Sequence, residues 1–124
     1  MTNLQIIKEL ESRLGGFYHR WNGNKVTYLR LTLKDVENKD LELIGELTNL
    51  TTLKLDYNNI TTIQGLEKLT NLKYLNLDNS QITTTQGLEK LTKLRWLHLA
   101  YTKIPKEEIK QFQANHPKIK IKCT

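Results

Sequence analysis

Residues 49 to 70 read NLTTLKLDYNNITTIQGLEKLT, and residues 71 to 92 read NLKYLNLDNSQITTTQGLEKLT. Both units end in QGLEKLT, and Leu50, Leu72 and Leu94 stand 22 residues apart. KLRWLHLAYTKI (93–104) begins another unit, and KVTYLRLTLKDV (25–36) is a more diverged earlier copy whose Val26 lies 24 residues before Leu50. Self-similarity at such a period marks a stacked-repeat architecture. The spacing within one unit explains the stack. Leu53 and Leu55 alternate as on a short strand, both turned to one face. Ile60 and Ile63 follow at a corner, and Leu66 and Leu69 sit three apart, as on a tight helical turn. The chain thus closes a coil whose neighbours must cover its open sides, which takes at least about three repeats.

The pattern L-x-x-L-x-L-x-x-(N/S/T)-x-I is met at Leu50, Leu53, Leu55, Asn58 and Ile60, then at Leu72, Leu75, Leu77, Ser80 and Ile82, and at Leu94, Leu97, Leu99, Thr102 and Ile104. It resembles a leucine-rich repeat of the short class found in bacterial internalin-like proteins and eukaryotic phosphatase regulators. The resemblance covers roughly residues 25–105. LGG before the first unit and HPKIKI after the last are similar to the ends of short bacterial leucine-rich repeat proteins. The resemblance implies an α/β fold: a leucine-rich repeat solenoid, a short right-handed arc of about four coils with a parallel β-sheet on its concave face. It also implies a non-catalytic protein-binding role.

A stack of coils exposes core at both ends, so both ends need caps. At the N-terminus Leu4, Ile7, Leu10 and Leu14 recur at helical spacing, Thr2 or Asn3 can cap the start, and Gly15-Gly16 ends the helix. At the other end Pro105 suits a first helical turn, Glu107 and Glu108 suit its positive pole, and Ile109 with Phe112 face inward. KIKIK (118–122) alternates isoleucine with lysine, as an edge strand does when its charges discourage further pairing. The expected organisation is one structural domain: an N-terminal capping helix and lead-in (1–24), leucine-rich repeats (25–104, divided 25–48, 49–70, 71–92 and 93–104) and a C-terminal cap (105–124).

The chain of 124 residues is 38% hydrophobic and 26% charged, which suits one globular core and excludes a spanning helix of roughly 18 apolar residues. Glu9 and Glu11 interrupt any signal-like run near the start. With Cys123 as its single cysteine, the chain fits a reducing, cytoplasmic compartment, with secretion the alternative had a leader been removed. The formal charge is +6 and is concentrated at one end: residues 90–124 hold nine Lys and Arg against Glu107 and Glu108. No phosphate loop, nucleophile elbow or metal-ligand spacing is present, and His19, His98 and His116 occupy unrelated contexts. The expectation is no catalytic residue, no metal, no cofactor and no enzyme.

What remains is the strand face opposite the core, where equivalent positions recur about 4.8 Å apart. One column holds Tyr28, Thr52, Tyr74 and Trp96, and the next Arg30, Lys54, Asn76 and His98. Beside these run Thr32, Asp56, Asp78 and Ala100, then Leu33, Tyr57, Asn79 and Tyr101. Tyr28, Tyr57, Tyr74, Trp96 and Tyr101 are five of nine aromatic residues, an enrichment in the types that anchor interfaces. The expected partner-binding residues are Tyr28, Arg30, Lys54, Asp56, Tyr57, Tyr74, Asn76, Asp78, Trp96, His98 and Tyr101. Asn58, Ser80 and Thr102 are expected to form a structural ladder that satisfies backbone groups at the corner after each strand. The expected partner is another protein, met by a monomer without membrane contact. The alternative is an acidic partner or nucleic acid held by Lys103, Lys106, Lys110, Lys118, Lys120 and Lys122.

Overall fold

The computed structural model describes residues 1–123. Six strands form one sheet: β1 (Tyr18–Asn22), β2 (Lys25–Arg30), β3 (Thr52–Lys54), β4 (Tyr74–Asn76), β5 (Trp96–His98) and β6 (Lys120–Lys122), ordered in space as in sequence. β2 to β6 are parallel and in register, so that Leu29, Leu53, Leu75, Leu97 and Ile121 form one row. Each circuit of the coil returns the chain one strand spacing along the stack. The sheet departs from this rule at β1, which pairs antiparallel to β2 and places Arg20 opposite Tyr28 and Tyr18 opposite Arg30. This hairpin occupies the second half of the lead-in. Its signal is Gly23-Asn24, a two-residue connection with Gly23 at φ 62, the positive value that hairpin turns require.

The core slots of the complete units are filled by the residues their spacing selects. Leu50, Leu53, Leu55, Ile60, Leu66 and Leu69 are fully buried, as are Leu72, Leu75 and Leu77; each buried leucine contributes about 1.5–3 kcal/mol relative to exposure. Between Ile63 and Leu72 the chain returns through successive three-residue turns, in which Leu66, Leu69 and Leu72 donate to the carbonyls of Ile63, Leu66 and Leu69 at 2.9, 3.0 and 3.1 Å. The first coil, two residues longer, instead has room for a short helix, α2 (Leu41–Ile44), after a tight turn at Asn38–Asp40.

Both ends are covered. Helix α1 (Asn3–Leu14) starts with a reciprocal cap, the Thr2 hydroxyl accepting from Gln5 N–H and the Gln5 amide oxygen from Thr2 N–H. Its inward stripe is rotated from the expected one: Asn3, Ile6, Ile7 and Leu10 are buried, while Leu4 is exposed. The reason is polar. Asn3 Oδ1 accepts the Val26 N–H at 2.7 Å, a buried donor that would otherwise be stranded. Arg13 Nε donates to Asp40 Oδ1 at 2.6 Å, tying α1 to the first coil.

At the far end α3 (Lys106–Asn115) buries Ile109 and Phe112. One oxygen of Glu108 accepts from Thr85 N–H, Thr84 Oγ1 and Thr85 Oγ1 at 2.6, 2.7 and 3.0 Å. The Thr85 N–H bond is the main cause that holds the Glu108 carboxyl below the usual range, aided by both threonine hydroxyls against some desolvation. A depressed value means that this stabilisation is fully present above the unfolded carboxyl pKa near ~4.3 and lost as pH falls through the folded value. Glu108→Gln should therefore cost about 1 kcal/mol at pH 7, after discounting charged hydrogen bonds for solvent access. Urea unfolding of both proteins at pH 7 and pH 3 measures it; a gap that does not shrink in acid would contradict the assignment.

Candidate functional site

The outward face of the sheet carries two columns set by the pairing register. Tyr28, Thr52, Tyr74, Trp96 and Lys120 form one; Arg30, Lys54, Asn76, His98 and Lys122 form the other. Hydrogen bonding across coils continues past the strand ends, with Leu33, Tyr57 and Asn79 N–H donating to the Asp56, Asp78 and Ala100 carbonyls at 3.3, 3.0 and 2.8 Å. The columns expected from sequence therefore stand side by side, and the structure extends them at both edges. Arg20 and Tyr18 join from β1, and Lys120 and Lys122 from β6.

Aromatic rings and cations alternate along this face. Tyr18 meets Tyr28 edge-on at 5.5 Å, and Arg20 lies 4.7 Å from the Tyr28 ring centre while donating to Tyr18 Oη at 2.7 Å. Lys54 Nζ stands 5.8 Å from both the Tyr28 and Tyr74 rings. The Tyr74 ring lies 5.1 Å from that of His98, with its hydroxyl 3.3 Å from His98 Nε2. Burial raises the Tyr74 phenol above its ordinary value, so it stays protonated at neutral pH. The two aspartates face inward bonds: Asp56 accepts from the Thr32 hydroxyl at 2.8 Å, Asp78 from Ala100 N–H at 2.7 Å, and Asp78 Oδ2 is 3.6 Å from His98 Nδ1. Among the described residues, no three His, Cys, Asp or Glu side chains cluster as metal ligands.

The corner after each strand has a feature the sequence does not announce. Leu33, Tyr57, Asn79 and Tyr101 all have φ near +60°, at 57, 61, 56 and 57°. Asparagine tolerates this left-handed region; leucine and tyrosine sit there at a cost on the order of 1 kcal/mol. Yet Leu33, Tyr57 and Tyr101 are 71%, 52% and 75% exposed, and Trp96, at the start of β5, is 47% exposed. Behind the corner, Asn58 spans two coils, accepting from Lys34 and Val36 N–H and donating to the Leu31 and Leu55 carbonyls. Ser80 and Thr102 reach only the Leu77 and Leu99 carbonyls of their own coils, at 2.8 and 3.0 Å. A hydroxyl is too short and has one donor, whereas a carboxamide serves both sides.

The chain matches the family model for leucine-rich repeats in two copies over residues 48–90. Repeat motif, in-register coils and this match agree. Over these residues the chain is built of leucine-rich repeats. The chain is similar in structure to an internalin, inlF, of Listeria monocytogenes, with 30% identity and a TM-score of 0.66 over 77% of this chain and 26% of the other. It is also similar to internalin C2 of the same organism (27%, 0.64, covering 80% and 52%) and to a leucine-rich repeat protein of Leptospira interrogans (29%, 0.57, covering 82% and 24%). The chain thus spans about a quarter to a half of the length of these bacterial structures. No curated protein matches it. Leucine-rich repeat proteins generally mediate protein–protein interaction and are typically not enzymes. Among the described residues no helix is long and apolar enough to cross a membrane.

Proposed function

We propose that this protein is a non-catalytic interaction module that binds a partner protein through its concave strand face and the adjoining corner. The observation that carries the reading is the exposure of Leu33, Tyr57 and Tyr101 in left-handed backbone conformation at the corner, together with exposed Trp96 on the strand face. These side chains add strain and solvent-facing apolar area without serving the core, and strain retained at exposed positions supports a binding role. Tyr74 is half-buried between Lys54 and His98 and acts as the support of the surface. Trp96 and Tyr101 are its anchors.

Replacing Trp96 and Tyr101 together with serine should weaken partner binding at least tenfold, while the melting temperature moves by no more than a few degrees, because neither side chain fills the core. Partner captured by crosslinking to the wild-type chain, identified, purified and titrated against both proteins, provides the measurement. A folded double variant that binds with unchanged affinity would remove this face as the site.

A further inference from the structure

We infer that the strand face recognises an acidic protein segment, one that carries carboxylates on both sides of an apolar centre; this rests on the concave face being the binding site. Five cations occupy the face: Arg20 on β1, Arg30 on β2, Lys54 on β3, and Lys120 and Lys122 on β6. None of the five forms an ion pair among the described residues, where the paired Lys and Arg are Arg13, Lys39 and Lys110. The two acidic groups of the face, Asp56 and Asp78, offset only part of this charge, and five cations against two carboxylates leave the face net positive. Asp56 and Asp78 are engaged by Thr32, Ala100 and His98 within the sheet.

The arrangement divides the face into three zones. Cations cluster on β1 to β3, Tyr74 and Trp96 occupy β4 and β5, and lysines return on β6. At a strand spacing of about 4.8 Å the face is roughly 24 Å wide, and Lys54 and Lys120 are about three spacings apart. An extended segment rising about 3.3 Å per residue crosses it with roughly seven residues. Such a segment places carboxylates at its two ends and an apolar side chain against Trp96. The lysines of β6, which by sequence look like guards of a sheet edge, thus complete a surface that begins in the N-terminal hairpin.

Ring geometry selects a protein segment over a nucleic acid. Single strands bind by stacking bases on open aromatic faces. Here Tyr28 is flanked by Arg20 and Lys54, at 4.7 and 5.8 Å, and Tyr74 by Lys54 and His98, at 5.8 and 5.1 Å. The rings instead hold the cationic side chains in place, which lowers the ordering cost of pairing them with carboxylates.

The test uses the full chain and three fluorescent probes in anisotropy titrations: a peptide of about a dozen residues with glutamates at both ends and Leu-Phe at its centre, the same peptide with glutamines, and an oligothymidylate of similar length. The acidic peptide should bind at least tenfold more tightly than the glutamine peptide. Lys54→Glu with Lys120→Glu should weaken it at least tenfold, with circular dichroism unchanged, while Lys68→Glu on the exposed return segment has little effect. Equal binding of both peptides, lost on Trp96→Ser, would overturn the charge assignment yet leave the concave face as the site. Acidic-peptide binding that survives both the lysine and the tryptophan replacements would overturn both. Tighter binding of the oligothymidylate, lost with the lysines, would make the ligand a nucleic acid, and failure of every probe to bind would overturn the inference.

Discussion

Alanine at Gly45 is expected to destabilise the protein by about 4 kcal/mol, a large part of the 5–15 kcal/mol typical of a domain. A Cβ at Gly45 would stand 1.8 Å from the Gly65 carbonyl oxygen and 2.9 Å from its carbon. Gly65 is confined from the other side: at φ 108, its own Cβ would meet Leu41 C and Glu42 N at 2.9 Å. The first and second coils therefore cross backbone on backbone. Overpacking by a side chain costs about 1–3 kcal/mol because a neighbour can change rotamer. Here no rotamer exists to change, and relief requires the coils to part where Leu41, Ile44 and Leu66 are fully buried. Gly87→Ala provides the comparison: its Cβ would meet only the flexible end of Ile63, at 2.9 Å, so the cost is smaller although φ is 97. Gly16→Ala, with nothing within 4 Å, should be close to neutral. Urea midpoints of the three variants decide the matter. Equal midpoints for Gly45→Ala and Gly16→Ala would refute the close crossing.

Gly45 also marks where sequence reading stops. The leucine slots are legible because coil closure dictates them: an inward side chain must recur wherever the chain passes the axis, and Leu50, Leu53 and Leu55 recur on that schedule. Gly45 in IGELT and Gly65 in GLEKLT, by contrast, look like ordinary turn residues until two coils are laid against each other. The hairpin strand β1 escaped for another reason. Most of its residues are exposed, so it lacks the apolar alternation that identifies a half-buried strand, and only Gly23-Asn24 hints at it.

The candidate site was legible as columns and not as contacts. Period 2 within a strand and period 22 between strands suffice to align Tyr28 with Tyr74 and Trp96. They do not reveal that Lys54 stands between two rings, because side-chain direction beyond Cβ depends on neighbours. Nor could residue preference signal the left-handed corner. Asn79 fits it, but at Leu33, Tyr57 and Tyr101 the coil imposes the conformation against the preference of the side chain.

Asn58→Ala is the second substitution expected to be severe, at about 4 kcal/mol, and it separates a coil-bridging role from a local one. The side chain is 3% exposed. Its oxygen accepts from Lys34 and Val36 N–H at 3.2 and 3.0 Å, and its nitrogen donates to the Leu31, Leu55 and Asp56 carbonyls at 2.9, 3.0 and 3.3 Å. Truncation strands Val36 N–H and the Leu31 carbonyl, both in the preceding coil, and each orphaned buried group costs about 1–3 kcal/mol. Ser80→Ala removes one bond within its own coil and should cost about 1 kcal/mol; Thr102→Ala, less buried, should cost less. Asn58→Asp sharpens the test, since it keeps the acceptor but turns a carboxylate oxygen toward three carbonyl oxygens. That repulsion raises the folded-state pKa of the introduced carboxyl, so its destabilisation relative to wild type is greatest at neutral pH. It should shrink as pH falls and the protonated oxygen becomes a donor. Urea unfolding of the four variants at pH 7, with Asn58→Asp repeated at pH 4, measures the order. Equal losses for Asn58→Ala and Ser80→Ala would show that the bonds across coils carry no more than the bonds within them, and the first coil would then be held by its leucines and the Gly45–Gly65 contact alone.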